Sequence, residues 1–153
     1  MLMKIEFLKS FPNQKDACAA FRVEHPERHS EALLRRDGSL SVSCLHLYVD
    51  GNESKWGNIT LDNENIIIET NKDETTGNRN YEAIMKRPCS YRLIFVDRAK
   101  GGKYEFLGLY QLDTTLASEL KALTWRRIAN EVDTESILEH AEKDLLTIKP
   151  SSL

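Results

Sequence analysis

The sequence has no long apolar run and few cysteines. No stretch approaches the roughly 18 apolar residues of a membrane-spanning helix. Its first residues, MLMKIEFL, are interrupted by charge and lack the apolar region of a signal peptide. We therefore expect a cytoplasmic protein that does not contact a membrane. Its three cysteines, Cys18, Cys44 and Cys89, are too scattered for a disulfide framework and indicate reduced, buried thiols.

Glycine and proline are also scarce, with seven and four in 153 residues. This excludes low-complexity and collagen-like chains, and no linker or repeat divides the sequence. Hydrophobic residues make up 41% and charged residues 29%, which is ordinary for a globular protein. We predict a single domain over residues 1–153, long enough to bury a core.

The common catalytic motifs are absent. There is no Gly-x-Gly-x-x-Gly, Gly-x-x-x-x-Gly-Lys-Ser/Thr, Gly-x-Ser-x-Gly or His-Glu-x-x-His. The sequence thus favours a protein without catalytic residues or a cofactor and leaves enzymatic activity open. Glu53-Ser-Lys55 and Glu119-Leu-Lys121 have a Glu-x-Lys spacing that occurs in metal-dependent nucleases, so a small nuclease stays an alternative.

Four residues have the chemistry of zinc ligands: His25, His29, Cys44 and His46. Pro26 spoils helical spacing in the first pair, and no Cys-x-x-Cys accompanies the set. We predict core or surface histidines and no metal site, and the sequence leaves a metal at these four residues open.

Charge is distributed unevenly along a chain of net charge −3. Residues 79–103 carry seven Lys and Arg against two acids, a net +5, whereas residues 131–144 carry six acids against one lysine, a net −5. The basic segment predicts an anion-binding face, and an unevenly charged, solvated surface is the alternative.

Alternating apolar residues and turn signals predict many short strands and a few helices. The fold class that we predict is α+β, with a curved or barrel-like mixed sheet flanked by helices. Asp37-Gly38 suits the tight turn of a hairpin. The predicted strands are 4–11, 30–36, 39–49, 57–61, 66–69, 91–96, 103–112 and 124–129, and the predicted helices are 16–24, 78–86 and 134–146.

Three segments resemble the second half of the SET-and-RING-associated (SRA, or YDG) domain of the PUA-like β-barrel group. They are Gly77–Ile84, Tyr91–Val96 and Tyr104–Tyr110, and the likeness covers about residues 58–112. The last segment ends in Gly-Leu-Tyr, as does the family's Tyr-x-Tyr-Asp-Gly-Leu-Tyr motif, but Leu107 replaces its Asp. Residues 39–60 have no counterpart of the glycine-rich acidic segment that builds the family's pocket for a flipped methylated cytosine.

The resemblance implies a nucleic-acid-binding module of a bacterial or phage defence, modification or regulatory system, with DNA favoured over RNA. Reading a flipped base requires aromatic rings for stacking, polar groups for the base edge and cations for phosphates. The candidates are Tyr48, Trp56, Tyr81 and Trp125 for stacking, Asn58, Asn78 and Asn80 for the base edge, and Arg79, Arg98, Lys100, Lys103, Arg126 and Arg127 for phosphate.

Alternatives stay open at several positions. Trp125 can instead belong to the core, as can the aromatic row Tyr104, Phe106 and Tyr110. Gly108 interrupts that row, and we predict that it bends the sheet or permits close backbone approach. For the whole chain, the alternative is a non-catalytic protein-interaction subunit that uses its acidic C-terminal helix.

Overall fold

Tight turns divide the chain into short strands, with four helices among the residues described. The structure, a computed structural model, describes residues 4–26, 31–47, 56–87, 90–99 and 103–142. The strands are β1 (Lys4–Ile5), β2 (Ser10–Phe11), β3 (Glu31–Leu33), β4 (Leu40–His46), β5 (Trp56–Leu61), β6 (Ile66–Asn71), β7 (Tyr91–Asp97), β8 (Tyr104–Leu112), β9 (Thr124–Ala129) and β10 (Val132–Asp133). The helices are α1 (Gln14–Ala19), α2 (Glu74–Met85), α3 (Thr114–Leu120) and α4 (Thr134–Ala141). None of these helices is long and apolar enough to span a membrane.

Eight strands form one mixed sheet. Its order is β3-β4-β7-β8-β9-β6-β5, with β2 added beside β8, and β1 pairs separately with β10. Only β4 and β7 run parallel, and every other pair in the described ranges is antiparallel. The predicted α+β class with a mixed sheet is confirmed. The sheet is not a closed barrel, because β3 and β5 are the end strands of the described order.

The sheet nevertheless curls strongly around one face. Arg92 of β7 binds Glu69 of β6 although β8 and β9 lie between these strands, a separation of about 14 Å in a flat sheet. At the sheet's end, Asn58 of β5 donates from Nδ2 to the carbonyl oxygen of His46 in β4, at 3.2 Å. We call the side that carries Glu69, Arg92 and Trp125 the concave face.

Each face of the sheet is covered by its own core. The concave core contains Ile67, Ile94 and Trp125 with Ile84 of α2 and Ala117 of α3. The core on the opposite face receives α1 and α4; its members include Cys18, Phe21, Val42, Leu93, Phe95, Phe106 and Ile137. Burial on both faces explains why β7 is apolar along nearly its whole length.

A β-bulge at Gly108 changes the predicted faces of β8. Ile94 is opposite Gly108, whereas the next residue of β7, Phe95, is opposite Phe106, so Leu107 is the extra residue. The single aromatic row predicted for β8 is therefore wrong. Tyr104, Phe106 and Leu109 lie in the core of the opposite face, and Leu107, Tyr110 and Leu112 lie in the concave core.

Other element boundaries also differ from prediction. Residues 4–11 form two short strands rather than one, because the chain turns between them and Leu8 has a φ of 65°. Helix α2 begins at Glu74 instead of residue 78, since the Asp73 side chain caps it by accepting from the backbone N–H groups of Thr75 and Thr76. Helix α3 was not predicted, and the end of the predicted C-terminal helix, 143–146, lies outside the described residues.

Candidate nucleic-acid interface

A cleft of about 320 Å³ opens between α2, the end of β6 and the turn that joins α3 to β9. Its walls combine acids, amides, one aromatic ring and one lysine. The lining residues are Glu69, Thr70, Asn71, Glu74, Gly77, Asn78, Asn80, Tyr81, Lys121, Ala122 and Leu123. The cleft is thus a polar site that an aromatic side chain partly encloses.

Helix α2 supplies one wall because of its residue spacing. Glu74, Gly77, Asn78 and Tyr81 follow the i, i+3, i+4, i+7 pattern of a single helix face. Tyr81 packs against the concave core, as does Met85 at the end of the same helix. This packing anchors the helix while its polar residues face the cleft.

One carboxylate oxygen of Glu69 accepts hydrogen bonds from core side chains, and the other has no partner among the described residues. Its Oε1 accepts from Trp125 Nε1 at 3.1 Å and from Arg92 Nη1. The side chain is only 9% exposed and lines the cleft. Its Oε2 makes no hydrogen bond within the described residues. A carboxylate in this state is a directed acceptor for an N–H group in the cleft.

Asn71 adds an unused donor two residues further along β6. Its Oδ1 accepts from the backbone N–H of Asp73 at 2.8 Å. Its Nδ2 is buried and has no hydrogen-bond partner in the described part of the chain. The Asn71 amide nitrogen therefore has unused donor capacity, and Asn71 and Glu69 both line the cleft.

A buried ion-pair network lies behind Glu69. Arg92 is 5% exposed, binds Glu69, and reaches Glu31 Oε2 through Nη2 at 2.6 Å. Arg87 pairs with the other Glu31 oxygen at 3.3 Å. Burial opposes the charge on Arg92, but Glu69 and Glu31 outweigh it and raise the pKa of the guanidinium. The two cations balance the two carboxylates, so the network has no net charge.

A cation without an acidic partner lines the cleft. Lys121 is exposed and pairs with no acid among the residues described. Lys72 follows the lining residue Asn71 along the chain and is also exposed, whereas helical spacing places Arg79 on the side of α2 away from the lining residues. Lys121 is available to bind a phosphate group beside the cleft.

The structure brings some of the predicted residues together. Asn80 and Tyr81 line the cleft along with Asn78, whereas Arg79 lies on the other side of α2. Asn58 is directly opposite Glu69 in the β5–β6 pair, so these two side chains share the concave face. The backbone of Trp56 pairs with Asn71. The Trp56 side chain is not part of what the structure describes.

Trp125 is not available to a base. It is fully buried, and its ring lies 4.2 Å from the Arg92 guanidinium carbon. Trp125 is therefore a core residue, and its ring is not exposed for stacking on a base in this structure. It lies in the concave core together with Ile84 of α2 and Ala117 of α3.

Two of the predicted phosphate-binding cations are paired with acids. Arg98 pairs with Glu64 at 2.7 Å and with Glu105 at 3.2 Å, and these contacts, led by the Glu64 hydrogen bond, raise its pKa. Arg126 pairs with Asp113 at 3.1 Å.

The other predicted phosphate-binding residues either lie away from the cleft or are not among the described residues. Lys103 is exposed at the start of β8, far from the cleft beside the opposite end of that strand. Arg127 is bound by Asn65 and by the carbonyl of Leu107. Lys100 and Tyr48 lie outside the described residues.

The candidate metal ligands that the structure describes, His25, Cys44 and His46, do not form a metal cluster. Cys44 is buried in the core against Cys18, and the Cys18 hydrogen bond together with burial raises the pKa of the Cys44 thiol. His46 lies 3.5 Å from Asp97 through Nδ1 and Oδ2. Within the described ranges no three His, Cys, Asp or Glu residues converge, and His29 is outside them.

Comparison with known proteins identifies the family. The sequence profile of the SET and RING associated domain matches residues 9–134. The chain belongs to this SRA family. Domains of the family bind DNA and read a modified cytosine that is flipped out of the duplex, so the predicted nucleic-acid-binding function and the predicted family are confirmed.

One solved structure supports the fold. The 5-hydroxymethylcytosine-specific restriction enzyme AbaSI is similar with a TM-score of 0.62 and 22% sequence identity. The similarity covers 84% of this SRA chain and 42% of the enzyme, so the chain spans less than half of that protein. No curated protein sequence matches the chain.

Sequence reasoning missed the polar residues behind the cleft. Glu69 ends an otherwise apolar run, Ile66-Ile-Ile-Glu, and Arg92 interrupts another in β7. A charged residue at an inward position of a buried strand is the signal that could have found them. The signal does not reveal that the two side chains meet, because four strands of a curled sheet bring them together.

Proposed function

We propose that this SRA domain binds a 5-modified cytosine, flipped out of duplex DNA, in the cleft beside Glu69. The observation that carries the proposal is the free Oε2 of a buried Glu69 whose Oε1 is already occupied by Arg92 and Trp125. An ionised carboxylate only accepts hydrogen bonds. It therefore favours a base whose Watson–Crick edge presents an amino group, as the N4 amine of cytosine does.

The rest of the cleft suits a single base. Its volume of about 320 Å³ is at the lower end of small-molecule sites. Tyr81 offers an aromatic surface, and the Nδ2 of Asn71 offers a donor to a ring carbonyl or nitrogen. Lys72 and Lys121 would hold the flanking phosphates. 5-Hydroxymethylcytosine is the first modification to test, given the specificity in the name of AbaSI.

The proposal is tested with four duplexes that differ at one base. That base is cytosine, 5-methylcytosine, 5-hydroxymethylcytosine or 5-hydroxymethyluracil, and affinity is measured by fluorescence anisotropy at low salt. The last two differ at position 4, an amine or a carbonyl, and at N3, which accepts a hydrogen bond in cytosine and donates one in uracil. We expect 5-hydroxymethylcytosine to bind about 10-fold or more tightly than 5-hydroxymethyluracil, as one base contact supplies about 1–3 kcal/mol.

Glu69→Gln should abolish most of this preference, because an amide can donate to the uracil carbonyl as well as accept. Glu139→Gln is the matched control, since Glu139 is exposed on α4 and packs on the other side of the sheet. It should keep the wild-type preference. Equal affinity of the wild-type protein for all four duplexes would remove the basis for the proposed site.

Two other functions stay hypotheses for this chain. A small metal-dependent nuclease would use Glu119 and Lys121 near the cleft, and it requires cleavage of the same duplexes in Mg²⁺ or Mn²⁺. A protein-interaction role would use the acidic α4 and the residues after it. A cytoplasmic location, a single domain over 1–153 and a preference for DNA over RNA are likewise proposed.

A further inference from the structure

Arg92 is a buried cation at the centre of the concave face. It lies on β7 between Ser90 and Ile94, both of which are buried. It contacts carboxylates on two sides, Glu31 of β3 and Glu69 of β6. Burying an ion pair rarely stabilises a fold more than well-packed apolar residues would. An arginine here therefore calls for an explanation beyond packing.

The contacts of Arg92 fix the orientation of Glu69 in particular. Its guanidinium lies over the Trp125 ring at 4.2 Å, while Trp125 Nε1 donates to the same Glu69 oxygen that Arg92 contacts. The two donors occupy Oε1, whereas Oε2 has no partner among the described residues and Glu69 lines the cleft. A planar guanidinium stacked on a ring can hold this geometry, which a flexible ammonium group cannot.

The same network controls the charge of the cleft. An uncompensated carboxylate would repel the phosphates of DNA. Arg92 supplies the balancing charge without occupying Oε2, and Arg87 balances Glu31 behind it. Glu69 can then present an acceptor oxygen to a base without repelling the phosphates of the DNA backbone.

We propose that Arg92 is a positioning residue for base recognition: it holds Glu69 with one oxygen aimed at the base. This proposal rests on the proposed role of Glu69. The competing view makes Arg92 a clamp that only joins β3 to β6. A clamp would affect stability and all DNA binding alike, whereas a positioning residue sets the preference between bases.

The test is the ratio of the dissociation constants for 5-hydroxymethyluracil and 5-hydroxymethylcytosine duplexes. It is measured for wild type, Arg92→Lys, Glu69→Gln and the double variant, with thermal melting of each. Arg92→Lys keeps the positive charge but loses the forked pair of N–H donors and the planar group that lies over the Trp125 ring. We expect its ratio to fall from about 10 or more to within about threefold of one. Affinity for the 5-hydroxymethyluracil duplex, which lacks the amine, should change less than about twofold.

A double-mutant cycle identifies the route of the effect. In the Glu69→Gln background, Arg92→Lys should change the ratio no further, because the two residues act as one unit. Glu31→Gln is the matched control: it removes the other carboxylate of Arg92 but leaves the Glu69 contact, so it should lower the melting temperature and preserve the ratio.

The outcomes separate this proposal from the proposed function. A wild-type ratio near one overturns the role of Glu69 and this proposal with it. If the wild-type protein prefers 5-hydroxymethylcytosine and Arg92→Lys keeps that preference, this proposal alone is overturned. The same holds if Glu31→Gln removes the preference as completely as Arg92→Lys does. If neither Arg92→Lys nor Arg92→Gln folds, Arg92 belongs to the folding core and the positioning role is rejected.

Discussion

Gly108 shows how one residue sets the geometry of the central hairpin. Its φ is +135°, a value that side chains rarely permit, and a Cβ atom there would lie 2.2 Å from the carbonyl oxygen of Ala129. The bulge beside it places Leu107 and Tyr110 on the concave face. Without this glycine the two cores could not both receive large side chains from β8.

We predict that Gly108→Ala lowers the free energy of unfolding by at least about 2 kcal/mol. A φ of +135° is strained for alanine, and the added Cβ would force the backbone away from β9. Urea unfolding followed by circular dichroism measures the loss. Gly57→Ala is the control: its Cβ would meet only the Thr70 hydroxyl, at 2.8 Å, which a rotation can move. Equal losses in the two variants would mean that ordinary strand packing, and not the bulge, explains Gly108.

Among the elements, the β3–β4 hairpin has the clearest local chemistry. Asp37 accepts from the Ser39 hydroxyl at 2.6 Å and from the Ser39 backbone N–H at 3.0 Å, while Gly38 has a φ of +76°. The Ser39 contacts, with a smaller contribution from Arg35, lower the pKa of Asp37 to about 2. The turn is therefore held by an ionised carboxylate.

This shift predicts a pH dependence. Because the pKa in the folded state lies below the unfolded value of about 3.9, the Asp37 contribution is present above pH 4 and is lost as the pH falls towards 2. Asp37→Asn should be less stable than wild type by no more than about 1 kcal/mol at pH 6, as the side chain is partly exposed. The difference should shrink between pH 4 and pH 2.

Ser39→Ala provides the check on the cause. Without the Ser39 hydroxyl, the effect of Asp37→Asn on the free energy of unfolding should depend less on pH. The reason is that this hydroxyl makes the largest contribution to the lowered pKa of Asp37. Urea unfolding at pH 3, 4 and 6 is measured for wild type, the two single variants and the Asp37→Asn/Ser39→Ala double variant. A difference that stays constant over this range would show that the Asp37 carboxylate does not stabilise the folded turn.

At the scale of the whole molecule, local sequence signals predict hairpins well and the site poorly. Asp37-Gly38 and the β7–β8 pair carry strong local signals, and both were predicted. The polar run before residue 78 hides the start of α2, since only the Asp73 cap distinguishes it from a loop. Glu69 and Arg92 meet because the sheet curls, and sheet curvature leaves no short pattern in a sequence.

The distribution of charge on the folded molecule differs from that along the chain. Of the cations in residues 79–103, Arg87, Arg92 and Arg98 are paired with acids. Lys121, which pairs with no acid among the described residues, lines the cleft instead. We therefore expect the phosphate contacts on the α2 side of the sheet and not at its β7–β8 end.

Charge reversal at the two ends of the sheet tests this shift. Lys121→Glu should weaken binding to every duplex and lower the slope of log affinity against log salt by about one, the loss of a single phosphate contact. Lys103→Glu makes the same charge change at an exposed residue just before β8 that pairs with no acid in the described part of the chain, so it should leave the slope unchanged. Anisotropy titrations between 50 and 200 mM salt give both slopes, with melting temperatures confirming that the variants fold. The reverse result, a slope lowered by Lys103→Glu and not by Lys121→Glu, would place the DNA at the β7–β8 end and reject the cleft.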